Sequence, residues 1–232
     1  MSQLCMERQG ARLAGLILLV MLLGGCVNAT VDEMTYNEPV AGIGESSVVI
    51  LGRRHKPDYD TEIEFIECIG DHIHNGDPNI EVINEIAFLN QFYPWFEPRT
   101  APLQPQTIDR LLQLPPVAAR FEEMKLEYMI WIDGTTTGGY GGDLNEAGSM
   151  SCGIGPGMAG CFGFGTWGTE SEYEATIWDF TDKVEVGRVN AAASGQSYMP
   201  AIIVPIPIVA PVQGTACDSL GDQLLEYLSE NY

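Results

Sequence analysis

Three short apolar runs, each set off by an amphipathic segment, constrain this chain more than any other feature. Ser47-Val48-Val49-Ile50-Leu51 is continuously apolar, the pattern of a strand buried on both faces. Thr61 followed by Glu64 has the spacing of a capping box, and Ile63, Ile66, Ile69 and Ile73 recur at helical intervals. A helix over 61–75 is therefore predicted, broken by Asn75-Gly76-Asp77-Pro78. Ile80, Val82 and Ile83 predict a second strand, and Asn84 can cap a helix carrying Ile86, Phe88, Leu89 and Phe92. A helix over 107–125 is interrupted at Pro115-Pro116, and Tyr128-Met129-Ile130-Trp131-Ile132 is a third strand ending at Asp133-Gly134. Strand, helix, strand, helix, helix, strand is the order of an α/β (α+β) domain whose sheet is at least partly parallel.

The second half changes character. Residues 138–165 hold 11 Gly in 28 positions and read as a Gly-rich loop, either an ordered hairpin end or an inserted partner-binding loop. Residues 166–180 and 184–197 alternate and predict a strand pair joined at Thr181-Asp182-Lys183. Pro200, Pro205, Pro207 and Pro211 then interrupt a very apolar stretch, which excludes a helix or a central strand there. This stretch is expected to be either buried under the last helix or an interface. That helix is predicted from Thr215, with Cys217, Leu220, Leu224 and Leu228 on one face.

The amino-terminal segment reads as an address. Arg8 and Arg12 precede an apolar run from Leu13 to Leu23 that is too short to span a bilayer comfortably. It ends Leu23-Gly24-Gly25-Cys26, which resembles a bacterial lipobox. The resemblance implies cleavage after a signal peptide of residues 1–25 and acyl chains on Cys26. With no Asp directly after the cysteine, it also implies the outer membrane of a double-membraned bacterium, the domain facing the periplasm. Residues 26–46 then read as a lipidated flexible tether and 47–232 as one domain. Without residues 1–25 the chain keeps 9 Lys+Arg against 31 Asp+Glu, so anionic membrane surfaces repel it and the lipid must do the anchoring. The same imbalance excludes nucleic-acid binding, which needs clustered cations.

Four cysteines remain: Cys68, Cys152, Cys161 and Cys217. An even number in an oxidising compartment predicts disulfides. Cys152 and Cys161 close a short loop, which leaves Cys68 for Cys217. They lack paired C-x-x-C spacing, so no metal site is expected. The expected architecture is a small mixed sheet packed with about four helices, with the Gly-rich disulfide loop and strand pair inserted before a C-terminal helix.

No catalytic constellation emerges. Gly155-Pro156-Gly157-Met158-Ala159-Gly160 matches G-x-G-x-x-G but lies between cysteines rather than between a strand and a helix, and no nucleotide cofactor is expected. His72 and His74 are two apart and point to different faces of a helix. Glu170, Glu172 and Glu174 alternate on one strand face and are expected to be solvated. Neither G-x-S-x-G nor H-E-x-x-H occurs. Pro94-Trp95-Phe96-Glu97-Pro98 is a stiff aromatic turn, read as a plug on the core or as a partner contact. Candidate contact residues are Trp95, Phe96, Ile206 and Ile208.

The element order from Val48-Val49-Ile50-Leu51 through Ile80-Glu81-Val82-Ile83-Asn84 to Tyr128-Met129-Ile130-Trp131-Ile132-Asp133-Gly134 resembles the periplasmic domains of the TolB amino-terminal, CsgG and LpoB kind. The chain also resembles an uncharacterised lipoprotein group. The first resemblance implies a non-enzymatic role through protein contacts in envelope assembly or maintenance, with an envelope protein as partner. An oligomeric secretion or channel subunit and an envelope hydrolase are the alternatives.

Overall fold

The computed structural model describes residues 27–33, 47–56, 59–97, 100–102, 105–138, 147–155, 158–180 and 182–229. The strands are β1 (Val27–Glu33), β2 (Ser47–Gly52), β3 (Arg54–Lys56), β4 (Tyr59–Asp60), β5 (Glu81–Ile83), β6 (Leu126–Thr137), β7 (Ala147–Gly155), β8 (Met158–Asp179) and β9 (Val184–Ile203). The helices are α1 (Ile63–Gly76), α2 (Glu85–Gln91), α3 (Pro105–Leu112), α4 (Pro115–Met124) and α5 (Val212–Ser229). The fold is the expected mixed α/β class, with five helices among the described residues where about four were expected.

One seven-stranded sheet organises the chain, in the order β1-β9-β8-β6-β2-β5, with β7 beside β8. β2 runs parallel to β5 and β6, and all other pairs in this sheet are antiparallel. The continuous apolar runs are explained by two cores. Val48 and Ile50 of β2 join Tyr128, Ile130 and Ile132 of β6 beneath α1 and α5. Val49 and Leu51 join Met129 and Trp131 beneath α2, α3 and α4. Successive side chains point to opposite faces, so only an unbroken apolar run can serve both layers. Cys68 of α1 is bonded to Cys217 of α5, with Cα atoms 6.3 Å apart, and locks the two helices of the first layer together.

Local sequence signals were realised unevenly. The Asn84 side chain caps α2, accepting from the backbone N–H groups of Ile86 at 3.0 Å and Ala87 at 3.3 Å. Pro115 and Pro116 open α4 as expected. The Thr61–Glu64 capping box does not form. Glu62 is the N-cap of α1, and the Thr61 hydroxyl bonds the carbonyls of Arg53 (3.3 Å) and Ile132 (3.1 Å). Both carbonyls also accept backbone N–H groups, from Thr61 (3.4 Å) and Arg53 (2.8 Å), so the hydroxyl adds a second donor to each and is engaged across the sheet rather than on its own helix.

Three further expectations are corrected or narrowed. Residues 27–33, expected within the tether, form β1 against β9, with Val27 opposite Gly195. The Gly-rich residues 147–155 and 158–165 are strand, the ordered hairpin end of the two readings: β7 and the first part of β8 pair in register, with Cys152 opposite and bonded to Cys161. Backbone pairing and a cross-strand disulfide compensate there for the weak strand preference of glycine. The predicted strand pair is also longer, because β9 continues through Pro200 to Ile203. Pro200 is tolerated because β1 pairs only as far as Gly195, so the ring sits beyond that neighbour.

Candidate functional site

The two strands β8 and β9 are about twice as long as the sheet that flanks them. β6 accompanies β8 only from Glu170 to Asp179, and β1 accompanies β9 only from Val189 to Gly195. Beyond that level β8 and β9 continue, with β7 on the outer side of β8, as a three-stranded arm. From Gly195 to Ile203 it extends roughly 27 Å, at about 3.4 Å per residue. The chain then doubles back along β9. Tyr198 and Ile208 exchange backbone hydrogen bonds at 2.8 and 2.7 Å, and the Ile206 N–H donates to Pro200 O at 3.0 Å. The Ser197 hydroxyl accepts from Ala210 N at 2.9 Å and fixes the return.

The surface of this arm is apolar. Nine of the fourteen exposed large hydrophobic side chains among the described residues lie on it or on its returning strap. Phe162 (77% exposed) stands opposite Ile202 (76%) on one face, and Ile154 is 92% exposed. Residues 147–169 and 189–217 contain no Asp, Glu, Lys, Arg or His, in a chain with 32 Asp+Glu and 11 Lys+Arg. An ordinary solvated sheet edge carries charges that discourage pairing, and this one carries none.

A second feature lies at the same end of the sheet. The connection leaving β2 goes to α1 in one layer, and that leaving β5 goes to α2 in the other. Their carboxyl ends thus form a topological switch point, where open α/β sheets present a crevice. A cleft of about 440 Å³ occupies it, lined by Ile63, Glu67, Asp71 and His74 of α1, by Ile83 at the end of β5 and by Glu85 at the start of α2. The buried Glu85 carboxylate accepts from the Gly52 N–H at 2.8 Å, at the end of β2. No Ser, Thr or Cys lines the cleft. It offers a general acid or base but no hydroxyl or thiol nucleophile.

Several other polar groups join elements of the fold. Tyr173 stacks on Phe65, ring centroids 3.5 Å apart, and its hydroxyl donates to Glu62 Oε2 at 2.8 Å. Glu62 Oε1 in turn accepts from Thr136 N at 2.9 Å. Burial pushes the Tyr173 hydroxyl up to about 12, and the Glu62 carboxylate adds to the rise. Burial also holds the Tyr128 phenol above its ordinary range, reinforced by Glu127. His72 bonds Asp222 at 2.8 Å across the α1–α5 seam, while His74 is exposed at the cleft, so the pair does not converge. Glu170 and Glu172 are exposed, and Glu174 pairs with Arg188 at 3.3 Å. The described part of the G-x-G-x-x-G match belongs to the ends of β7 and β8, not to a strand–helix junction. No group of three or more His, Cys, Asp or Glu suited to a metal occurs among the described residues.

Of the expected contact residues, Ile206 and Ile208 are exposed on the strap. Trp95 is half-buried under the Arg120 guanidinium, 5.4 Å from its centroid. Phe96 is corrected: it is 2% exposed within the aromatic cluster of Phe88, Phe92 and Phe121, so it plugs the second core and is out of reach of a partner. Cys26 lies outside the described residues. Sequence reading missed Ile154, Phe162 and Ile202 as site residues. The signal for them was the absence of charge across two segments far apart in the chain.

No known protein family and no curated protein matches the sequence. Among solved structures, the chain is similar to the PelC dodecamer from Paraburkholderia phytofirmans at a TM-score of 0.39 and 11% identity, over 87% of this chain and 97% of that one. A substituted form of PelC from the same organism gives 0.38 and 10%, over 86% and 97%. A likeness this slight carries neither family nor function across.

Proposed function

We propose that this chain is a lipoprotein anchored through Cys26 in the outer membrane, and that it works by binding rather than catalysis. Its α/β body contacts an envelope protein from the periplasmic side, in envelope assembly or maintenance. The observation that supports the membrane-anchored part of this reading is the uncharged apolar arm at the sheet end where β1 begins, one residue after Cys26, which leaves the rest of the body for a partner. Confinement by acyl chains raises the effective concentration of the body for a membrane or wall partner, so modest contact affinity suffices.

The test is mild crosslinking in cells, extraction in detergent, and identification of the captured proteins by mass spectrometry, together with the mass of the amino-terminal peptide. An acylated peptide beginning at Cys26 and one recurrent envelope protein support the proposal. An unmodified Cys26 sinks it. One observation favours a second reading as an oligomeric secretion or channel subunit: among the described residues the outer edge of β7 pairs with no strand. An open edge is a template for pairing with another copy. A large homo-oligomer in the same experiment would select that reading.

A further inference from the structure

We infer that the arm formed by β7, β8 and β9 enters the lipid bilayer beside Cys26, so that the chain is held to the membrane at two points. This rests on the reading that Cys26 is acylated. The register supplies the geometry. β1 and β9 are antiparallel, with Val27 opposite Gly195, so the chain leading back from Val27 starts at the level where the arm leaves the sheet. Cys26 is covalently joined to Val27, which places their Cα atoms about 3.8 Å apart. An acyl chain there sets the membrane surface near Gly195, and β9 still has eight residues to run, to Ile203.

Charge and side chains select lipid as the occupant. An anionic leaflet repels a body with this excess of carboxylates, and a charged side chain is costly to bury in hydrocarbon. The arm is free of both problems, because 147–169 and 189–217 carry no ionisable Asp, Glu, Lys, Arg or His. Ile154, Phe162, Ile202, Ile203 and Ile206 are each more than half exposed and lie where the acyl chain would hold them against the bilayer. The backbone sets the depth. The outer edge of β7 is unpaired among the described residues, and unpaired peptide groups are not tolerated in hydrocarbon. The arm therefore seats its tip at the boundary between headgroups and acyl chains, on the order of 5–10 Å deep, without spanning.

The test uses the full lipidated chain in vesicles of phosphatidylcholine and phosphatidylethanolamine, with and without phosphatidylcholine brominated on its acyl chains. Phe162→Trp and Ile202→Trp each add one fluorophore to the tip. Val184→Trp adds one at the opposite end of the β8–β9 ribbon, where the side chain is also exposed. Bromine is expected to quench the added emission at 162 and 202 several-fold more than at 184. Equal quenching at all three positions overturns the inference. So does an unquenched tip fluorophore shielded from aqueous iodide, which would mean that a protein surface or a second copy covers the arm. The acyl mass on Cys26, measured on the same sample, separates the two failures. Acylation without tip quenching removes the inference and leaves the anchor. Tip quenching without acylation removes the anchor and leaves the arm in the bilayer.

Discussion

Replacing each disulfide by a pair of alanines should reveal two bonds of different weight. Cys68 and Cys217 are 149 residues apart in sequence, whereas Cys152 and Cys161 are 9 apart. In the chain-entropy description, opening the first loop releases about 5 kcal/mol of denatured-state entropy and opening the second about 3 kcal/mol. Packing widens the gap. Cys217 is fully buried in the core under α5 and Cys68 packs against it, whereas Cys152 is exposed on the arm. C68A/C217A should therefore destabilise the chain by at least about 2 kcal/mol more than C152A/C161A. The assay is urea unfolding of the full oxidised chain in detergent, followed by tryptophan fluorescence. Trp131 and Trp178 are 4% and 2% exposed and report loss of the second core. A smaller or equal loss in C68A/C217A, with unchanged denaturant slopes, would refute the assignment of Cys68–Cys217 as the principal covalent lock.

Two further outcomes follow from close contacts in the body. A methyl group at Gly134 would lie 2.5 Å from Tyr173 Cδ1 and collide with the Glu172 carbonyl, so Gly134→Ala should cost about 1–3 kcal/mol, while Gly168→Ala, which meets nothing within 4 Å, should stay within about 0.5 kcal/mol; thermal unfolding of the two variants checks the contrast. The Tyr173 hydroxyl titrates near 12 in the folded chain and near 10 when unfolded, so the folded state holds its proton more tightly. Its contribution to stability is complete below pH 10 and falls by roughly 1.4 kcal/mol per unit as pH rises toward 12. Urea midpoints measured between pH 9 and 11.5 should decline less steeply in Tyr173→Phe, and an identical slope would show that this phenol does not titrate as assigned.

What was legible in the sequence was local or forced by elimination. The apolar runs of β2 and β6 announced strands buried on both faces, because a side-chain period of two leaves no other use for four or five successive apolar residues. Asn84 announced the start of α2, because a cap is satisfied within three residues. Removing Cys5 and Cys26 and pairing the two cysteines nearest each other left a single partner for Cys68. Thr61 shows the limit: its spacing to Glu64 fits a capping box, yet its hydroxyl is used by carbonyls from β6 and the end of β2.

The sequence by itself thus determined β2, β5 and β6 with the helices between them, both cysteine pairs, and the amino-terminal motif that motivates the anchor reading, but not β1, β3 or β4. Only the tertiary structure decided where those pieces meet. Nothing local indicates that Val27 pairs with Gly195, or that Ile154, Phe162 and Ile202 share one arm. Glycines at 153, 160 and 163 favour a loop when read alone, and they become strand because neighbouring backbones supply partners for their peptide groups. The cleft between β2 and β5 likewise arises because their connections leave toward opposite layers. Register and layer choice are set by contacts between residues distant in sequence, and a linear pattern does not encode which distant surfaces will be buried together.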